Sequence, residues 1–180
     1  TSLILSLGEK PKQATWGVDV RKKNPSDQLD LYAMEAEHLL NNLLKSNGNY
    51  LEWFFNPLTF YKSEHYGELE HIAKQCVTKK LFDHFNHFSA VKSKDYTQTP
   101  TAKNFLYSLR TGLTGAHALL TGEVDPNIHN VLGYLAHHEQ RIVNDIITHK
   151  KKGEDIIVKE NDAHPEILQH AKDLLVKARN

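Results

Sequence analysis

Asp30–Phe55 reads DLYAMEAEHLLNNLLKSNGNYLEWFF, and the hydrophobic period changes inside it. Gln28–Tyr32 has the character of a short strand, whereas from Ala33 onward Leu39, Leu40, Leu43 and Leu44 recur at helical spacing and form one apolar stripe. Asn47-Gly48 closes this helix in the manner of a left-handed cap. Tyr50–Phe55 then makes a short buried helix or turn that stops at Asn56-Pro57.

Upstream, Leu3-Ile4-Leu5 is a brief apolar stretch, and Thr15–Val20 is a second candidate strand between repeated glycine and proline breaks. Downstream, helix dominates. Helices are expected at Ser63–Gln75 and Thr78–Ser93. A long central one starts at Thr99-Pro100, a capping hydroxyl followed by proline, and stops at Gly122. The turn Asp125-Pro126-Asn127 opens a further helix through Leu132, Leu135, Ile142 and Ile146, ending at Lys150–Gly153. A last amphipathic helix covers Pro165–Ala178. The expected class is α+β, mainly α.

Composition removes several classes of function. Lysine plus arginine and aspartate plus glutamate both number 22, so no global field draws the chain to polyanions and any such contact is local. No apolar run approaches the roughly 20 residues of a membrane span. Thr1–Leu7 is too short for a secretory signal, and the lone Cys76 excludes an internal disulfide and a thiolate zinc cluster. A reducing, cytoplasmic setting is expected. There is no glycine-rich phosphate loop, GxSxG elbow or dinucleotide fingerprint.

Among residues that carry chemistry, Asp30 stands at the end of a short strand directly before an amphipathic helix. A carboxylate there projects from a rigid edge and suits a divalent-ion site, although aspartate also favours such turns on its own account. The twelve histidines lack the spacing of a zinc or iron site: His84 and His87 share a helical face, but His137 and His138 diverge by about 100°. Lys79, Lys80, His84, Lys92 and Lys94 load one helical region with cations, and Lys103 and Arg110 lie on one face of the next helix. Arg110 interrupts an apolar helix. It therefore needs an anionic partner, either a bound phosphate or an internal carboxylate such as Glu52.

Two segments also carry a resemblance. Asn47-Gly48-Asn49-Tyr50-Leu51-Glu52 is similar to an N-P-N-x-L-E turn with glycine for proline. Lys103–Val124, KNFLYSLRTGLTGAHALLTGEV, is similar to a K-x-x-x-Y-x-L-R helix followed by T-G-E. Together with Lys79–Lys94 they resemble the DNA-polymerase-β-like nucleotidyltransferases associated with RNA repair, the RlaP-like group, over most of the chain.

The resemblance implies the C-terminal portion of a nucleotidyltransferase core over residues 1–60, with a sheet remnant, and a helical domain over 61–180. It implies transfer of a nucleoside monophosphate from an NTP to a hydroxyl, with an RNA end as acceptor and Mg2+ or Mn2+ as cofactor. Asp30 matches the third metal-binding carboxylate, while Lys103, Arg110, His84 and Lys92 would contact triphosphate or acceptor. The family's Gly-Ser and Asp-x-Asp motifs do not occur in the chain and are expected upstream of Thr1. A non-catalytic helical module that binds RNA or protein is the alternative.

Overall fold

A computed structural model of the chain describes residues 2–5, 32–57, 59, 61–151, 153, 158 and 164–180. Two short strands, β1 (Ser2–Leu5) and β2 (Tyr32–Glu35), pair in parallel with Ser2 opposite Tyr32 and Leu5 opposite Glu35. Helices account for most of the described residues: α1 (Ala36–Leu44), α2 (Gly48–Phe55), α3 (Tyr66–Gln75), α4 (Leu81–Gln98), α5 (Ala102–Thr121), α6 (Ile128–Val131), α7 (His137–Lys150) and α8 (Pro165–Ala178). The mainly helical class with a remnant of sheet is what the structure has. The expected strand Thr15–Val20, most of Gln28–Tyr32 and the carboxylate of Asp30 lie outside the described residues.

Boundaries differ from the sequence reading where local hydrogen bonds compete with periodicity. The strand persists to Glu35, three residues into the stretch that reads as helix from Ala33. The left-handed residue after α1 is Ser46 (φ 53°) and not Gly48. Its buried hydroxyl donates to the Cys76 carbonyl and bonds the Thr78 hydroxyl, each at 2.8 Å, and these bonds offset the roughly 1–2 kcal/mol that a left-handed backbone costs. Asn47 instead caps the start of α2, its side chain accepting the Asn49 N–H at 3.1 Å.

Thr78–Lys80 form a turn rather than the first turn of α4, the Thr78 hydroxyl accepting the Lys80 N–H. At its other end α4 runs past Ser93 to Gln98, because Tyr96 is buried against Phe105 with ring centroids 5.5 Å apart. Thr101, not Thr99, caps α5 by accepting the Asn104 N–H at 3.2 Å, and Gly122 closes it at φ 79°. The helix expected after Asp125–Asn127 divides into α6, a 3-10 turn (Leu132–Tyr134) and α7. Ala136 is extended at the break, and its N–H donates to the Glu139 carboxylate at 2.8 Å, which starts α7 afresh.

The central helix is α5, packed along α4 and α8. Phe105, Leu109, Leu113 and Ala116 are fully buried along it. Met34, Leu39, Leu43, Leu51 and Phe54 from the strand-bearing segment share a buried cluster with Phe82 and Phe85 of α4, Ala116 and Ala118 of α5, and Leu175 of α8. Phe85 is the wedge in this cluster. A Cβ on Gly48 would come within 2.5 Å of its ring, and one on Gly115 within 2.6 Å of its Cβ, so α2 and α5 approach α4 only because both positions are glycine.

Candidate functional site

Two of the four candidates, Lys92 and Arg110, meet as cations on the face formed by α4 and α5, and His84 lies along the same aromatic row. His84, Phe88 and Lys92 follow one another at i, i+4 and i+8 along α4, and Lys103, Tyr107 and Arg110 share a face of α5. Phe88 and Tyr107 meet edge to face with centroids 5.8 Å apart. The Lys92 ammonium lies 5.4 Å from the Phe88 ring centroid and 5.1 Å from that of Tyr107, and the Arg110 guanidinium lies 5.2 Å from the same tyrosine ring. The aromatic pair thus holds two cations next to each other.

Each cation is also tied to an oxygen. Lys92 Nζ donates to Asp95 Oδ2 at 2.9 Å, one turn along its own helix. Arg110 Nη1 donates to Glu52 Oε2 at 3.0 Å and to the Pro126 carbonyl at 3.4 Å. Of the two partners the sequence allows for Arg110, the internal carboxylate is therefore present, and it comes from α2, the second helix after the sheet. Its remaining guanidinium nitrogens make no hydrogen bond to the described residues. Burial pushes the Glu52 carboxyl above its usual range, and the charge and hydrogen bond of Arg110 oppose this only in part.

His84 sits at the opposite end of the aromatic row, its ring 5.2 Å from Phe85 and 5.7 Å from Phe88. Its Nε2 is enclosed and has no hydrogen-bond partner. Burial, with a smaller contribution from the neighbouring His87, holds its pKa below the usual histidine value, so at neutral pH it is an uncharged hydrogen-bonding group and not a cation. Lys103 is exposed one turn before Tyr107. It extends the row toward the start of α5.

Among the described residues, no three His, Cys, Asp or Glu side chains converge in a way that could hold a metal ion. The carboxylate expected to do so, Asp30, lies outside the described residues. No described helix is long and apolar enough to cross a membrane.

Tyr107 and Phe88 are the members of this face that sequence reading passes over. The signal was present, since Tyr107 stands four residues after Lys103 and three before Arg110. A second polar cluster was also missed: Glu139, only 7% exposed, accepts from His170 Nδ1 at 2.9 Å and joins α7 to α8. The residues are 31 apart, and nothing in their spacing pairs them.

Comparison with known proteins places these features in a wider context. The chain matches RlaP, the RNA repair pathway DNA polymerase beta family, over residues 5–179. It is 30% identical over 96 residues to an uncharacterized protein of Methanocaldococcus jannaschii, a match covering 52% of this chain and 40% of that relative. The chain thus spans well under half the length of that relative. No solved structure matches.

Proposed function

The chain belongs to the RlaP family, the RNA repair pathway DNA polymerase beta family, and from that premise we propose that it is part of a nucleotidyltransferase that moves a nucleoside monophosphate from an NTP onto the hydroxyl of an RNA end. The observation that carries this reading is the Glu52–Arg110 pair. The glutamate of the N-G-N-Y-L-E turn and the arginine of the K-x-x-x-Y-x-L-R helix lie far apart in sequence and meet at 3.0 Å. Two segments that resemble family motifs are thereby parts of one arrangement.

In this reading, Asp30 would be a metal ligand. Mg2+ or Mn2+, when bound, neutralises triphosphate charge and lowers the pKa of the attacking hydroxyl. The chain's own contribution is positional. Lys92 and Arg110 are held by the Phe88–Tyr107 pair, and Lys103 continues their row, so that triphosphate or RNA phosphates would lie along α5. Arg110 keeps guanidinium donors for a phosphate oxygen while Glu52 fixes its plane. His84, neutral, would hydrogen-bond a ligand hydroxyl or base rather than a phosphate.

The test uses the full-length protein, each α-labelled NTP, RNA and magnesium. Label should pass to RNA, and Asp30→Ala should reduce transfer by about 100-fold or more, since removing a metal ligand forfeits several kcal/mol of charge stabilisation. Transfer indifferent to Asp30→Ala would reject the assignment of that residue. RNA binding with no transfer from any NTP would support the non-catalytic module instead.

A further inference from the structure

Lys79 and Lys80 precede α4 and Arg179 follows α8, yet all three border one depression of about 480 Å3, together with Asp83 and Asn180. The same two lysines border a second depression of about 380 Å3, whose wall includes Leu44, Ser46, Cys76 and Thr78. Lys79 and Lys80 thus border both hollows. This place is separate from the α4–α5 face, because it involves neither Lys92, Lys103 nor Arg110.

Among the described residues, side-chain charge at this place is not balanced locally. Lys79 and Lys80 are exposed and form no ion pair among the described residues. Arg179 is held with its guanidinium 4.5 Å from the centroid of the buried Phe82 ring, which orients it without neutralising it. Among the described residues Asp83 is the one carboxylate side chain on the rim, against three cations, in a chain whose formal net charge is zero. Beyond the lysines, Leu44 is 68% exposed, a large apolar side chain left in solvent beside a cationic rim.

We propose that this double depression is a groove for single-stranded RNA, with phosphates on Lys79, Lys80 and Arg179 and a base or ribose against Leu44. Both hollows open to solvent, which suits a polymer laid across them better than a small anion that needs to be enclosed. A ligand that carries phosphates beside bases and riboses fits a surface that sets three cations beside one exposed leucine. The choice of RNA among polyanions rests on the proposed function above.

The experiment measures binding of the chain to a short labelled single-stranded RNA by fluorescence anisotropy, with EDTA and without NTP, across a salt series. The combined variant Lys79→Glu, Lys80→Glu, Arg179→Glu should bind about 10-fold or more weakly. Its plot of log affinity against log salt should be shallower by about 2, from about 0.7 per lost phosphate contact. Leu44→Ser should weaken binding and leave the slope alone. Lys150→Glu with Lys151→Glu, at the far end of α7, should bind as the unaltered chain does, and circular dichroism should show all variants equally helical.

The groove is overturned if the unaltered chain does not bind RNA, if the triple variant binds as well with the same salt slope, or if the α7 variant is weakened equally. It is also overturned if vesicles of anionic phospholipid compete for these residues better than RNA does. Failure of nucleotide transfer, with RNA binding still dependent on the three cations, would overturn the proposed reaction and not the groove. Transfer to RNA that the triple variant binds undiminished would do the reverse.

Discussion

Arg110 on α5 and Glu52 on α2 hold each other at 3.0 Å, with side chains only 19% and 16% exposed. The pair ties the strand-bearing segment to the central helix, and its two members depend on each other for different reasons. Arg110 cannot lose its charge. Glu52 can, and burial already favours its neutral form.

Arg110→Met should therefore cost about 2–3 kcal/mol at pH 7, since it leaves a largely buried carboxylate without its cation. The double variant Arg110→Met, Glu52→Leu should recover most of that loss. A carboxyl whose folded pKa is raised loses stability as pH rises through that pKa, and removing Arg110 raises it further. Arg110→Met should thus be less destabilised at pH 4.5 than at pH 7. Urea denaturation of the three proteins at both pH values checks the sign, and a loss equal at both would refute it.

His84 gives the opposite dependence. Its folded pKa lies below the unfolded value because burial, and secondarily His87, disfavours the imidazolium. Its contribution is present above about pH 6.5, the unfolded pKa, and is lost as pH falls through the folded pKa. His84→Leu should be within about 1 kcal/mol of the parent at pH 7.5, because it removes an enclosed polar atom with no partner, and should retain more of its stability on going to pH 5, because the group that resists protonation in the fold is gone. Thermal denaturation at the two pH values, with NMR titration of the imidazole in the parent, measures both parts.

Glu139 should account for part of the acid limit of the fold. Burial raises its pKa, but the hydrogen bond from His170, that from the Ala136 N–H and the nearby imidazole charges together bring it below the usual value. Stability from such a carboxylate is present above about pH 4.5 and is lost as pH falls through the lowered folded pKa. Glu139→Gln should cost about 1 kcal/mol at pH 7 and should flatten the fall in stability between pH 5 and pH 3. An unchanged acid limb in that variant would show that the Glu139–His170 contact does not contribute to it.

How far the sequence discloses this molecule depends on the range of the interaction involved. Helical period alone locates α5 and α8, because long amphipathic repeats are dictated by the burial of one face. It also joins α6 to α7, because the restart at Ala136 depends on one carboxylate turning back to one N–H. Ser46 looks unremarkable in sequence, since the groups that stabilise its left-handed backbone come from Cys76 and Thr78, 30 residues away or more. At the candidate site, the face shared by Lys103 and Arg110 is legible from spacing on one helix, and Glu52 could be named as a possible partner. Lys92 over Tyr107 and Arg179 beside Lys79 could not, because helix packing and not spacing creates those neighbours.

Phe85 works as a spacer gripped at both ends, Gly115 against the base of its side chain and Gly48 against the tip of its ring. With glycine on each side of it, the separation of α2 and α5 from α4 is set by hard contact, which neither salt nor acid alters. Ionic conditions can loosen the charged links around this ring, but the alignment of the strand-bearing segment with the central helix would persist through them. A single added methyl at Gly48 or Gly115 would disturb that alignment directly, leaving every charge in place.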